Sequence, residues 1–194
     1  MTSILQVDIC GTPQNWLSPK AAASLVCTND IAWTSGPIAA VLRGGWSRLS
    51  ESQSRLEIPA IIGTRGQSKV NVQDAIPPLT STNHKLFERD RHVCAYCGMH
   101  GLYHELTREH VIPVSRGGAN TWMNVVTACR SCNTRKSNRT PEEAHMSLLY
   151  LPYAPNLFED FILRQGTRRI LADQMEFLLA RVSPHSRIRQ HVDA

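Results

Sequence analysis

The sequence predicts an α+β protein in which two cysteine pairs staple a short unit of strands, a loop and a helix. Three observations predict this class. Residues 1–80 contain short apolar runs separated by Gly and Pro, which is typical of strands. Residues after 140 contain runs with apolar side chains at helical spacing. Between the two regions, CAYC (94–97) and CRSC (129–132) have the spacing of metal-binding knuckles.

The N-terminal region, residues 1–80, is predicted to be rich in β-structure. ILQVDI alternates apolar and polar side chains, and PIAAVLRGG and RLEIPAIIGTRG are apolar runs that end in glycine turns. SPKAAASLVC predicts a helix, with Ser18 as N-cap and Pro19 at the first helical position. IPPLTSTNH (76–84) predicts a linker.

Residues 141–194 are predicted to form a C-terminal helical extension. TPEEAHMSLLYL starts a helix at Thr140, where Glu143 completes a capping box. TRRILADQMEFLLARV predicts a long helix with one apolar face, and RIRQHVDA predicts a frayed end. Packing against the body of the protein is favoured over a dimer interface, and the sequence leaves the oligomeric state open.

The two knuckles have the spacing C-x2-C-x31-C-x2-C, which predicts a structural zinc site. Four thiolates suit Zn²⁺ and form a closed tetrahedral site. The N-terminus has no basic segment followed by a long apolar run, so we expect a cytoplasmic protein in which disulfides are disfavoured. No apolar run reaches the length of a membrane helix, so a membrane is not an expected partner. The expected ligands are Cys94, Cys97, Cys129 and Cys132.

Basic residues are concentrated in one part of the chain. Residues 84–140 contain nine Lys and Arg against four Asp and Glu, so this segment carries all of the formal net charge of +5. A compact basic segment indicates a polyanion partner, of which nucleic acid is the commonest. A solvated surface without a partner is the alternative.

The segment between the knuckles predicts a ββ-loop-α unit. YHELTREHVIPV suits one or two short strands, SRGGANT a loop, and WMNVVTACRSCNTRKSN a helix. On one helix, Asn124 and Asn133 would face opposite ways and therefore have different roles. Glu109 and His110 are neighbours on a strand and point to opposite faces, so they converge only if the strand bends or ends there.

Two stretches, EHVIPVSRGG and TWMNVVTACRSCNTRK, resemble the HNH endonuclease motif in its four-cysteine, zinc-stabilised form. The resemblance covers about residues 86–139. Glu109 stands where the family often has Asp, and Asn133 stands where it often has His. Residues 1–80 are laid out similarly to stand-alone bacterial and phage HNH proteins.

The resemblance implies a ββα-metal (His-Me finger) nuclease core within residues 84–140. It implies that His110 is the general base, and that Asn124 holds the loop and orients this base. It also implies that Glu109 and Asn133 hold a catalytic Mg²⁺ or Mn²⁺, separate from the zinc. The candidate phosphate contacts are Arg116, Arg135, Lys136 and Arg139.

These residue types suit hydrolysis of a phosphodiester bond in DNA, with RNA not excluded. Histidine can accept a proton near neutral pH, and a hard divalent cation prefers oxygen ligands. The alternative is a non-catalytic zinc module that binds nucleic acid or protein. Such a module needs the cysteines and the basic surface, but it does not need Glu109, His110 and Asn133 together.

Overall fold

A computed structural model describes residues 2–49, 51–66, 76–184 and 186–189, and it divides the chain into two compact units. Unit 1 is Met1–Asp74 with Gln165–Arg181, and unit 2 is Ala75–Arg164 with Val182–Ala194. The elements are β1 (Ile4–Val7), β2 (Pro13–Leu17), α1 (Pro19–Cys27), β3 (Ile31–Ser47), β4 (Ser52–Thr64), α2 (His84–Arg89), β5 (Leu106–His110), a 3-10 turn (Val114–Arg116), β6 (Val125–Cys129), α3 (Arg130–Lys136), α4 (Leu157–Gln165), a second 3-10 turn (Thr167–Arg169) and α5 (Ala172–Leu179).

Unit 1 is built on a four-stranded sheet with the order β2-β1-β4-β3. β1 pairs antiparallel with β2 and parallel with β4, while β3 and β4 form a long antiparallel hairpin. The predicted helix is present as α1, and the Ser18 side chain accepts a hydrogen bond from the Ala21 amide as an N-cap does. Buried apolar side chains of α1 and the sheet form the core, and they are Ile4, Ala22, Ile58 and Ile62.

Unit 2 contains the two knuckles and a two-stranded antiparallel sheet. β5 and β6 pair over their whole length, from Leu106 opposite Cys129 to His110 opposite Val125. α3 begins immediately after β6, so the chain runs strand, loop, strand, helix. The core around this sheet contains Leu86, Phe87, Cys94, Leu106, Trp122, Val125, Ala128 and Cys129.

A buried ion pair holds β6 in place. Arg89 is fully buried and contacts the neighbouring Asp90 at 2.8 Å. The Arg89 guanidinium donates hydrogen bonds to the Trp122 and Val125 carbonyls, and Asp90 Oδ2 accepts one from the Thr127 amide at 2.7 Å. A buried pair is tolerated only when its remaining hydrogen-bonding groups are satisfied, and here backbone groups of β6, of Trp122 and of Tyr153 satisfy them.

The sequence prediction of one helix from Trp122 to Asn138 is wrong. Residues Val125–Cys129 form β6, and the helix starts only at Arg130. The segment has no Gly or Pro to break a helix, but Val125, Val126 and Thr127 are β-branched and pair with β5. Asn124 therefore lies in the turn before β6 and Asn133 lies on α3, so the two are not on opposite faces of one helix as predicted.

Two other predicted helices are shorter or absent. Residues 140–151 are not helical and form a turn only at 141–145, although Thr140 and Glu143 make the reciprocal contacts of a capping box. The Leu149 amide bonds to the Ala95 carbonyl at 2.7 Å, a tertiary contact that replaces a helical one. The predicted long helix after residue 166 is split, because Ile170 and Leu171 are extended between Thr167–Arg169 and α5. Part of the predicted frayed end, residues 190–194, lies outside the described residues.

Among the helices of the described ranges, none has the length and apolar character needed to cross a membrane.

Candidate functional site

The four cysteines of the two knuckles form one cluster. Their sulfur atoms all lie within 4.8 Å of one another, and Cys97 Sγ and Cys129 Sγ are 3.9 Å apart. Tetrahedral zinc with Zn–S bonds of about 2.3 Å requires sulfurs about 3.8 Å apart. The cluster is therefore consistent with a structural zinc site at Cys94, Cys97, Cys129 and Cys132.

The cluster ties three local structures together. Cys94 and Cys97 form a turn in which the Ala95 amide bonds to the Thr127 carbonyl of β6 at 2.8 Å. Cys129 ends β6 and is also the N-cap of α3, since its sulfur accepts from the Cys132 amide. Burial and the neighbouring cysteines raise the pKa of the Cys132 thiol. Metal binding must displace this proton, so zinc affinity should fall in acid.

Glu109 lies on the face of β5 that is covered by α3. Its side chain is buried and its Oε1 is 2.5 Å from Lys136 Nζ. Burial raises the pKa of the Glu109 carboxyl, and the hydrogen bond and charge of Lys136 and the charge of His110 oppose that rise. Lys136 Nζ also donates to the His110 carbonyl at 2.8 Å. One ammonium thus holds both the side chain of Glu109 and the backbone of His110.

The prediction that Lys136 is a surface phosphate contact does not agree with this arrangement. Its side chain is 0% exposed, and its ammonium is used inside unit 2. Its helical neighbour Asn133 also faces β5, where Asn133 Nδ2 donates to Thr107 Oγ1 at 2.8 Å. Because Thr107 and Glu109 are two residues apart on one strand, they share a face.

The side chain of Asn133 has a defined orientation. Thr107 Oγ1 donates its own proton to the Ala128 carbonyl at 3.1 Å, so it can only accept from Asn133. The Asn133 nitrogen must therefore face Thr107, which leaves the amide oxygen directed elsewhere. Within the described residues, neither Asn133 Oδ1 nor Glu109 Oε2 has a hydrogen-bond partner.

His110 lies on the other face of β5, together with Arg108. His110 Nε2 is 3.2 Å from Asn120 Oδ1 in the loop between the strands. Glu109 contacts α3 and His110 contacts this loop, as alternation along a strand requires. The regular strand ends at His110, and the Val111 amide makes one further bond to the Asn124 carbonyl at 2.8 Å.

Asn124 holds the loop between the strands. Its Oδ1 accepts from the Ile112 amide at 2.9 Å, and its Nδ2 donates to the Ile112 carbonyl at 3.0 Å and the Ala119 carbonyl at 2.9 Å. One side chain thus ties the start of the loop to its end, next to His110. Gly118 packs so closely here that a Cβ would lie 1.8 Å from the Ile112 carbonyl oxygen.

The remaining candidate phosphate contacts differ in their surroundings. Arg116 is half-exposed and forms a 2.6 Å ion pair with Glu143. Arg135 is exposed, and its carbonyl accepts from the Arg139 guanidinium at 2.5 Å. Arg139 also donates to the Lys136 carbonyl. Arg135 and Arg139 therefore lie together at the end of α3.

Sequence reasoning missed several residues that build this site. Asn120 and Arg108 contact each other beside His110, and Thr107 orients Asn133. Asn120 follows two glycines and an alanine in a loop, a context in which Asn usually indicates only a turn. Alternation on β5 could have placed Arg108 on the His110 face and Thr107 on the Glu109 face.

Residues 94–149 match the family model described as HNH endonuclease. This segment is therefore similar to HNH endonucleases. The match covers under a third of the chain and contains both knuckles and every candidate residue described above. The resemblance predicted from the sequence is thereby confirmed, and an HNH family domain suggests nuclease activity on nucleic acid. No curated protein matches the chain.

Proposed function

We propose that the protein is a metal-dependent HNH endonuclease that hydrolyses phosphodiester bonds in DNA, with β5, β6 and α3 as its ββα-metal core. The observation that carries the proposal is the arrangement around β5. One face presents Glu109 bound to Lys136 and Thr107 bound to Asn133, and the strand end presents His110 beside the loop held by Asn124. A zinc module without catalytic activity does not need Glu109, His110 and Asn133 together.

In this proposal His110 is the general base. It takes a proton from a water molecule, whose oxygen forms a bond to phosphorus while the bond to one bridging oxygen breaks. The leaving oxygen takes a proton from solvent, and the products are a phosphate monoester and a free hydroxyl. Asn124 positions His110 by fixing the loop that follows it.

Glu109 and Asn133 are the proposed ligands of a catalytic Mg²⁺ or Mn²⁺. The donor set fits, because Glu109 Oε2 and Asn133 Oδ1 are oxygens that have no partner among the described residues. A hard divalent ion with few protein ligands keeps several waters, and when bound it would stabilise negative charge on the phosphate. The zinc held by the cysteines is a separate, structural ion.

One observation favours the alternative, a zinc module without catalytic activity. Glu109 Oε1 is already bound to Lys136, as in a structural ion pair that supports the fold. In that case the same basic surface would serve binding only. Arg135 and Arg139 are compatible with both functions, since phosphate contacts position a protein without doing chemistry.

The deciding experiment is cleavage of supercoiled plasmid by the purified full-length protein with Mg²⁺ or Mn²⁺. We expect nicked or linear products, and we expect His110→Ala to lower the rate by about 10²- to 10⁴-fold. A wild-type protein that never cuts, or a His110→Ala variant that cuts equally well, would rule out the proposal. An RNA substrate assayed in parallel decides which sugar is accepted.

Zinc content is the control for folding. His110→Ala should keep the zinc of the wild type, since the cluster found among the described residues consists of the four cysteines and does not include His110. Cys132→Ser should lose zinc, whereas Cys27→Ser, which changes an exposed cysteine of unit 1, should retain it. Metal analysis of these variants separates a lost catalytic residue from a lost fold.

A further inference from the structure

The amide of Asn120 stands next to two side chains of β5. Its Oδ1 accepts a hydrogen bond from Arg108 Nη1 at 3.2 Å and lies 3.2 Å from His110 Nε2. We propose that Asn120 is a positioning residue: it holds His110 in the tautomer with its proton on Nε2, so that Nδ1 is the nitrogen that accepts the proton from water.

Arg108 decides which end of the Asn120 amide faces β5. A guanidinium has five N–H donors and no acceptor, so it must meet the amide oxygen and not the amide nitrogen. Arg108 is itself held, because its Nη2 donates to the Thr80 carbonyl at 2.6 Å and to the Thr82 carbonyl at 3.2 Å. Rotation of Arg108 away from Asn120 would disturb these bonds as well.

The orientation of the Asn120 amide then decides the tautomer of His110. An amide oxygen can only accept, so the histidine nitrogen facing it must carry a hydrogen. A neutral imidazole has one N–H, and with that hydrogen on Nε2 the lone pair is on Nδ1. In the opposite tautomer, two acceptors would face each other at 3.2 Å.

The backbone of His110 is fixed independently of Asn120. The His110 carbonyl accepts from Lys136, and residue 110 pairs with Val125 in the sheet. The following amide, that of Val111, bonds to the Asn124 carbonyl. The backbone is thus restrained from both sides, and the contact with Asn120 restrains the remaining freedom, which is rotation of the imidazole ring.

The catalytic part of this inference rests on the proposed function, since it takes His110 to be the general base. The tautomer does not, because it follows from Arg108, Asn120 and His110 alone. Two measurements on the full-length protein therefore separate the two statements: the protonation of the His110 nitrogens, and the rate of cleavage.

The first measurement is long-range ¹H–¹⁵N NMR of the ¹⁵N-labelled protein at about pH 8.5, about two units above the ordinary histidine pKa. The chain has eight histidines, and His110→Gln identifies the signals of His110 by their loss. We expect the hydrogen on Nε2 in the wild type. Asn120→Leu should shift His110 towards a mixture of tautomers, whereas Asn120→Asp keeps an accepting oxygen and should keep Nε2–H.

The second measurement is single-turnover cleavage of supercoiled plasmid with Mn²⁺ at the same pH. Asn120→Leu should lower the maximal rate by about 10- to 100-fold, because a misplaced base loses its alignment with the water. The protein concentration that gives half the maximal rate should not change, since no phosphate contact is removed. Asn120→Asp should recover most of the rate, which a purely structural loss would not explain.

The outcomes are distinguishable. A wild-type His110 with its hydrogen on Nδ1, or an Asn120→Leu variant with unchanged tautomer and rate, overturns the inference while leaving the nuclease proposal intact. If His110→Ala cleaves as well as the wild type, the proposed function fails, and the NMR result still decides whether Asn120 sets the tautomer.

Discussion

At the scale of single residues, the site depends on which polar atoms are already used and which are left over. Lys136 Nζ donates hydrogen bonds to Glu109 Oε1 and to the His110 carbonyl. Asn133 Nδ2 donates one to Thr107 Oγ1. What remains is one oxygen on Glu109 and one on Asn133, which we propose as two of the ligands of a divalent cation. The neighbours of each side chain thus select its free atom, which the order of residue letters alone does not reveal.

The ion pair between Lys136 and Glu109 makes a prediction about stability. Lys136→Met should lower the free energy of unfolding by about 3 kcal/mol, because it leaves a buried carboxylate without its partner. Unfolding in urea, followed by far-UV circular dichroism on the zinc-loaded protein, measures this change. The double variant Lys136→Met with Glu109→Gln should recover part of the loss, since the uncompensated charge is then gone.

A matched control is the ion pair between Arg116 and Glu143, whose side chains are 40% and 47% exposed. Arg116→Met should cost much less than Lys136→Met, since water screens this pair. Equal losses at the two sites would mean that the charge of Lys136 contributes no more than that of an exposed pair and that Glu109 does not require it.

At the scale of elements, the sequence correctly predicted the parts whose structure depends on residues in their own short motif. α1 begins at its Ser18 cap, and the knuckles bring the four cysteines together. The sequence failed where a distant partner decides. Residues 125–129 are a strand because β5 pairs with them, and residues 140–151 are not helical although the local capping contacts form. The local sequence does not show which distant strand a segment pairs with, or whether tertiary contacts will replace a helix.

The loop between β5 and β6 gives the element-scale prediction. Gly118→Ala should disrupt it, because a Cβ there would lie 1.8 Å from the Ile112 carbonyl oxygen and 2.9 Å from Asn124 Nδ2. We expect a loss of about 1–3 kcal/mol in the free energy of unfolding and a reduced rate of plasmid cleavage. The Ile112 amide donates to Asn124 Oδ1, and the Gly118 amide donates to the Pro113 carbonyl. The added Cβ would strain both hydrogen bonds, so hydrogen exchange of these two amides should become faster.

Gly45→Ala is the control, since a Cβ at Gly45 meets nothing within 4 Å. It should leave stability and cleavage close to wild type. If Gly118→Ala behaves like Gly45→Ala, the loop tolerates displacement and the close approach of Gly118 to Ile112 is not needed to define its shape.

At the scale of the whole molecule, counting charges along the sequence overstates the positive charge that is exposed to a polyanion. Of the nine basic residues in 84–140, four form ion pairs with carboxylates of the described residues: Lys85 with Asp160, Arg89 with Asp90, Arg116 with Glu143 and Lys136 with Glu109. Two of these four, Arg89 and Lys136, are fully buried. A net charge of +5 is therefore a property of the segment, and only the exposed arginines can contact phosphate.

The salt dependence of DNA binding tests which arginines these are. Each phosphate neutralised contributes a slope of about −0.9 to the logarithm of the binding constant against the logarithm of salt concentration. Arg135→Gln should reduce that slope by about one, because Arg135 is an exposed side chain at the end of α3. Arg55→Gln, which changes an arginine of unit 1 paired with Glu57 at 2.9 Å, should leave the slope unchanged.

Titration of a fluorescent duplex at several salt concentrations without divalent ions gives the slopes. Equal reductions in both variants would place the phosphate contacts on both units and would contradict a DNA interface confined to the HNH segment.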